Sequence, residues 1–241
     1  MTVPVAVAIP AFDAGGELAE TIEAVLAQSA PPAEVCLTVD EASSDNTLAV
    51  ARRYEPDVTV HTVAPTTSMN GRQLAVEATT APLVALCDAD DVWLPTKLER
   101  QVAALDATEA LDGLFCAVTE FVSARPDQGG PPLRRPHDRI DGRVASALLI
   151  RRTALDAIGG FVAEDHLAQW IAWLSRALAA GQRFGMVDEV LVRRRLRPDS
   201  YTSRHRDETP AMLDTVLDHL RRTRAAGGAG GAGGPGGPVL W

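Results

Sequence analysis

Leu83-Val84-Ala85-Leu86-Cys87-Asp88-Ala89-Asp90-Asp91 is a short apolar run that ends in three carboxylates within four residues. A run of this length and character reads as a buried strand. Carboxylates crowded at its end repel one another, and such crowding calls for a cation or hydrogen-bond donors. Hard divalent ions such as Mg²⁺ or Mn²⁺ take oxygen ligands, and Mg²⁺ often binds through one or two carboxylates plus substrate phosphates. A metal held by Asp90 would act there as a Lewis acid. Asp91, four residues before Pro95, reads by itself as a helix cap.

Upstream of this stretch, strands and helices alternate. Residues 3–9 form an apolar run closed by Pro10, read as a strand. Gly15-Gly16 then opens a helix with Leu18, Ile22, Val25 and Leu26 on one face, which Pro31-Pro32 stops. Residues 35–39 and 58–63 read as two more strands, and residues 44–54 and 73–80 as helices. Downstream, Pro95 occupies a favoured first helical position, ahead of a stripe of Leu94, Leu98, Val102 and Leu105. Such alternation predicts an α/β fold, a mostly parallel sheet with helices on both faces. Ligands bind such sheets outside the carboxyl ends of the strands. Asp13, Asp40 and Asp88 each follow a strand, so three carboxylates are expected to converge on one rim.

Residues 106–224 are less regular. Strands are expected at 113–122, 143–150 and 190–195, an exposed loop at 125–139, and a helix at 164–180. In that helix Leu167, Trp170, Ile171, Leu174 and Leu178 mark a core face. Met212, Val216, Leu217 and Leu220 mark a last amphipathic helix. Residues 1–224 read as one domain with two halves, 1–105 and 106–224. The Gly/Ala/Pro-rich stretch 225–241 reads as a flexible tail.

Bulk properties narrow the function. With 23 basic against 32 acidic residues the formal net charge is −9, which argues against nucleic acid as a partner. All the basic residues but Lys97 are arginines, a pattern that fits GC-rich coding. Cys36, Cys87 and Cys116 share no metal-ligand spacing and sit in apolar runs, as expected of buried free thiols. No apolar run reaches the length of a membrane span. The start lacks the features of a signal peptide, so a cytoplasmic location is expected.

Four blocks taken together resemble family 2 glycosyltransferases of the GT-A fold. They are Ile9-Pro10-Ala11-Phe12-Asp13, residues 34–39 with Asp40-Glu41-Ala42-Ser43-Ser44-Asp45-Asn46-Thr47, Gly71-Arg72-Gln73-Leu74-Ala75, and residues 83–91 with Val92-Trp93-Leu94-Pro95. Their order and spacing match over about residues 3–105. Residues 154–161 and 187–195 resemble the family's acceptor-side segments more loosely. The resemblance implies an inverting transferase that uses Mg²⁺ or Mn²⁺. It would move a sugar from a nucleotide diphosphate sugar, a UDP-sugar first, to a hydroxyl of a saccharide, lipid, natural product or peptide.

The resemblance also implies roles. Pro10, Ala11, Phe12 and Asp13 would line the base and ribose, with Ala89 at the same site. Asp40 would accept a pyrimidine ring N–H. Arg72 would sit against the base or the phosphates. Asp88 would hold the ribose or a metal-bound water, and Asp90 would ligate the metal.

Several positions depart from the family pattern. Glu41 stands for an Asp, Asp13 for an Asn and Gln73 for an Asn. Trp170 and Ala172 fall where the acidic pair is expected, so Asp165, then Glu164, is the candidate general base. The alternative for that pair is helix capping. Arg197 stands where the family often carries a His; it can bind phosphate but cannot ligate a metal. These departures keep open a nucleotide-binding relative without transfer activity. A nucleotidyltransferase is less favoured, because a Gly- and Lys-rich phosphate loop is missing. Arg193 and Arg195 share a strand face and read either as phosphate ligands or as a solvated edge.

Overall fold

The computed structural model describes residues 3–64, 68–123, 134–161 and 169–197. The expected helix around residues 212–220, the 225–241 tail and most of the 125–139 loop lie outside them, as do the first residues of the helix expected at 164–180.

Eight strands form one sheet: β1 (Val3–Ala11), β2 (Pro32–Asp40), β3 (Thr59–Val63), β4 (Leu83–Leu86), β5 (Val92–Trp93), β6 (Gly113–Val122), β7 (Leu149–Arg151) and β8 (Phe184–Leu196). Their order across the sheet is β3-β2-β1-β4-β7-β6-β8-β5. β1 to β4 run parallel, β6 and β8 follow the same direction, and only β7 and β5 run against it. The helices are α1 (Leu18–Leu26), α2 (Thr47–Ala51), α3 (Ser68–Glu77), α4 (Lys97–Asp106), α5 (Arg152–Ile158) and α6 (Gln169–Ala179).

Side chains alternate between the two faces of a strand. Val5, Ala6, Val7, Ala8 and Ile9 are all 0% exposed, so both faces of the central β1 are covered. This explains the unbroken apolar run. α3 packs on β1 and β2, and α4 on β6 and β8. The three cysteines are buried free thiols, as expected. Among the described residues no helix is long and apolar enough to cross a membrane.

Four local expectations need correction. Pro95 does not open α4, which begins at Lys97 after Thr96. The chain remains extended through Leu94, whose N–H donates to the Leu191 carbonyl at 2.9 Å, continuing the unforeseen β5–β8 pairing. Residues 143–150 are not one strand: a 3₁₀ turn, Ala145–Ala147, precedes β7. Asp91 is not the cap of α4, since its carboxylate accepts the Arg195 N–H at 3.0 Å. On α6 the core indole is Trp173, 0% exposed; Trp170 is half-buried, stacked on it at 5.4 Å, and donates to the Arg143 carbonyl.

Two details of β6 carry energy. Phe115 is fully buried against Phe184 and Trp170. Glu120 is also buried, gripped by both Arg134 amino groups at 2.5 and 2.6 Å and by His137 Nδ1 at 2.8 Å. Burial alone would raise its pKa, but the Arg134 and His137 hydrogen bonds outweigh it and bring the carboxyl down to about 2.

Phe115→Ala is expected to cost about 3–5 kcal/mol in denaturant unfolding. Glu120 has a folded pKa below its ordinary 4.5, so it stabilises the fold above that pH and stops doing so as pH falls towards about 2. The stability gap between wild type and Glu120→Gln should therefore be full at neutral pH and shrink across that interval. A gap that persists through acid would show that Glu120 acts through packing alone.

Candidate functional site

The parallel register of β1 with β2 and with β4 brings three strand ends side by side. Just beyond β1, Asp13 takes a left-handed φ of 44°, a conformation that Asp and Asn tolerate better than most residues. Its Oδ1 accepts the Ser44 N–H at 2.8 Å and the Ser44 hydroxyl at 3.2 Å. The next two amides go to the same neighbouring loop: Ala14 N–H to Thr47 Oγ1 and Gly15 N–H to Asp45 Oδ2, each at 2.8 Å. A Cβ on Gly15 would lie 2.1 Å from Asn46 Oδ1 and 3.0 Å from the Thr47 nitrogen, so a larger residue would have to displace the Asn46 side chain. Asp40 closes β2; it is nearly buried, and its Oδ1 accepts the Ala42 N–H at 2.8 Å. The loops after β1 and β2 are thus laced into one wall, with Pro10, Ala11, Phe12, Asp13 and Asp40 along it.

The opposite wall follows β4. Asp88 is 38% exposed at its side chain, and its Oδ1 takes the Arg72 Nη2 of α3 at 2.6 Å. Arg72 also lies over the Phe161 ring, 5.7 Å from its centroid. The Asp88 N–H donates to Ser146 Oγ at 3.0 Å, and the Ser146 carbonyl accepts Trp93 Nε1 at 3.1 Å. Ser146 also hydrogen-bonds Asp91. Ala89 is buried, its carbonyl held by the Thr21 hydroxyl at 3.0 Å.

β8 supplies the countercharges. The Arg195 backbone N–H donates to Asp91, its Nε donates to the Asp90 carbonyl at 2.8 Å, and its Nη groups reach Ser123 and Glu20. Arg195 is buried, which excludes a solvated edge for it. Arg193 lies over Phe121 at 4.3 Å. One position past the strand, Arg197 pairs with the buried Glu17 at 2.8 Å, and its Nε lies 3.7 Å from Asp90 Oδ2. Glu17, Glu20, Ser146 and the anchoring part of Arg195 were missed in the sequence. The available signal was two acids one helical turn apart and two arginines two strand positions apart.

Burial pushes the Asp90 carboxyl up to about 6; Arg197 pulls it down, while Asp88 and Glu17 push it up. Burial, then Asp90 and Asp88, raises Asp91 well above the usual range. A divalent cation at Asp90 would favour the ionised form and relieve this crowding. Among the described residues no group of three His, Cys, Asp or Glu side chains forms a protein cage. The part-exposed carboxylates of Asp88 and Asp90 are the kind of oxygen donors a hard ion takes when water and phosphate oxygens complete its shell. Glu164 and Asp165 lie outside the described residues.

Comparison with known proteins agrees with this architecture. The model of the family "Glycosyl transferase family 2" matches residues 6–159. TuaG of Bacillus subtilis (strain 168), named as a glycosyltransferase of teichuronic acid biosynthesis, is 27% identical over 216 residues, which cover 83% of this chain and 81% of TuaG. The structure of S. aureus TarS 1-349 with UDP-GlcNAc matches at a TM-score of 0.66 and 16% identity, over 84% of this chain and 61% of that one. The mannosyltransferase PcManGT from Pyrobaculum calidifontis, solved with GDP-Man and Mn²⁺, matches at 0.61 and 19% identity, over 98% of this chain and 67% of that one. At these identities the two structures establish a shared GT-A fold, and this chain spans less than two thirds of the TarS chain.

Ser146→Ala removes both the acceptor for the Asp88 N–H and the hydroxyl beside Asp91. It is expected to cost about 1–3 kcal/mol, the usual penalty for a buried polar group left unpaired. Denaturant midpoints would check this, and an unchanged midpoint would mean that water or a shifted backbone takes over both bonds.

Proposed function

The chain belongs to glycosyl transferase family 2, and on that premise we propose that it transfers a sugar from a nucleotide diphosphate sugar to an acceptor hydroxyl with inversion at the anomeric carbon. A UDP-sugar is the favoured donor. The observation that carries this reading is the placement of Asp13, Asp40 and Asp88 at the ends of three adjacent parallel strands, with Arg72 paired to Asp88. Ligand binding at this rim is what such sheets favour.

In this proposal Pro10, Ala11, Phe12 and Asp13 line the base and ribose, and Ala89 closes the floor. Asp40 accepts the uracil ring N–H. Arg72 turns from Asp88 towards the base or the phosphates, and Asp88 then takes the ribose or a metal-bound water. Mg²⁺ or Mn²⁺ would be held by Asp90 with Asp88 and would neutralise the charge that develops on the departing diphosphate. Direct displacement needs one general base at the acceptor hydroxyl. Asp165, then Glu164, is the proposed base, a few residues ahead of α6. The named donors of the similar structures, UDP-GlcNAc for TarS and GDP-Man for PcManGT, support a nucleotide sugar without choosing the base or the sugar.

A thermal-shift series with UDP, GDP, dTDP and CMP, each with and without Mn²⁺, tests the donor site, because a ligand bound only by the folded state raises Tm. One nucleotide should give a larger shift with Mn²⁺, and Asp90→Ala should erase the Mn²⁺-dependent part. Turnover lost in Asp165→Asn but kept in Glu164→Gln would assign the base. Tight nucleotide binding without transfer to any acceptor would favour the relative that only binds, and no shift with any nucleotide would sink the donor site.

A further inference from the structure

β8 carries three consecutive arginines near its carboxyl end, and each has a different setting. Arg195 is buried and tied to Asp90, Asp91 and Glu20. Arg193 lies over the Phe121 ring. Arg194 is 41% exposed at its side chain, and among the described residues its one close polar contact is Nη1 to Glu120 Oε1 at 3.5 Å. Glu120 does not need that contact: Arg134 already holds both of its oxygens, and His137 holds one of them as well. One buried carboxylate thus faces two guanidiniums, and the second charge is left over. The sheet register sets Arg194 directly beside Glu120, so the root of this cation is fixed by two long strands. β4, β6 and β8 run the same way, which brings Arg194 out at the rim that carries Asp88. Burial raises the carboxyls of Asp90 and Asp91, and Arg194 is among the charges that pull them back, so it lies within electrostatic reach of the acidic loop.

A half-exposed guanidinium whose fork is unspent suits a phosphate or a carboxylate. Its place argues for the acceptor rather than the donor. In the sheet order β1 and β2, which carry the proposed nucleotide wall, lie on one side of β4, and β6 and β8 lie on the other. We propose that Arg194 binds a phosphate or carboxylate carried by the acceptor, so that this protein glycosylates acidic acceptors in preference to neutral ones. This rests on the transfer reading above and names the acceptor's chemical class. Arg134 cancels the charge of Glu120 and leaves that of Arg194 to the ligand. The bound anion completes the cluster, with two guanidiniums against two negative groups.

The test is an NMR titration of the full chain at constant ionic strength, with Mg²⁺ and the nucleoside diphosphate that binds, UDP or GDP, filling the donor site. The probes are glucuronate and glycerol phosphate, each beside its neutral counterpart, glucose and glycerol. Both anions should bind at least tenfold more tightly than their counterparts, and Arg194→Gln should erase that preference. Glu120 keeps Arg134 and His137 in this variant, so the fold should hold, which thermal melts check. Arg139→Gln removes the same charge from a guanidinium already paired with Asp141 and Asp188, and it should change the preference threefold or less. Equal binding of anionic and neutral probes by the wild type, or a preference that survives Arg194→Gln, would overturn the inference and leave the donor site standing. So would an equal loss in both variants, which would mean a diffuse field rather than a site. A preference shown only for UDP-glucuronate over UDP-glucose would put the charge on the donor sugar and overturn the inference too. Binding of neither nucleotide would overturn the transfer reading and this inference with it.

Discussion

Three carboxylates at the end of one four-residue strand cannot be left to repel one another. At an effective dielectric of about 20, two like charges 4 Å apart cost about 4 kcal/mol, a large part of a domain's whole stability. Much of the second half of the chain is arranged around Asp88, Asp90 and Asp91. The 3₁₀ turn at Ala145–Ala147 interrupts what would be a longer strand, and Ser146 in that turn serves Asp88 and Asp91. β8 runs past the acidic loop so that the Arg195 amide reaches Asp91 and its side chain the Asp90 carbonyl. β5 pairs with β8 beside that loop and holds it in place.

The compensation is almost wholly long-range. Arg195 and Asp91 are 104 residues apart, and Arg197 and Glu17 are 180 apart. Local sequence can assemble β1, α1 and β2, but the acidic loop reaches its final charge balance only when β8 docks. Closing such long loops costs entropy before the contacts repay it. Placing the neutralising arginines on the last described strand thus ties the electrostatics of the rim to completion of the sheet.

This division explains what the sequence reveals and what it hides. The strands β1, β2 and β4 are legible because each is a run of apolar residues buried on both faces, and the carboxylates are legible because each follows such a run. The GT-A resemblance came from those same blocks, and the family match bears it out. β5 is two residues long and exists only through β8, so no period announces it. Asp91 looked like a cap because a carboxylate before a helix usually is one; the extended backbone through Leu94 takes it out of reach. Trp170 and Trp173 both fit the core stripe of α6. Only the packing of Phe161 and Phe184 against Trp173 singles it out.

The charge inventory of the finished rim bears on how it would meet a ligand. Seven carboxylates, Asp13, Glu17, Glu20, Asp40, Asp88, Asp90 and Asp91, face four guanidiniums, Arg72, Arg194, Arg195 and Arg197. Ionised throughout, the group would be short of three positive charges. Burial and the neighbouring carboxylates drive Asp91 towards its neutral form, which narrows that deficit. An acidic pocket without arginines would bind the ion first and refuse the nucleotide until it had. A purely basic one would hold the nucleoside diphosphate after the sugar had left. In the donor site proposed above, mixed charge would avoid both extremes, with the arginines offsetting part of a diphosphate's charge and an exchangeable ion the rest.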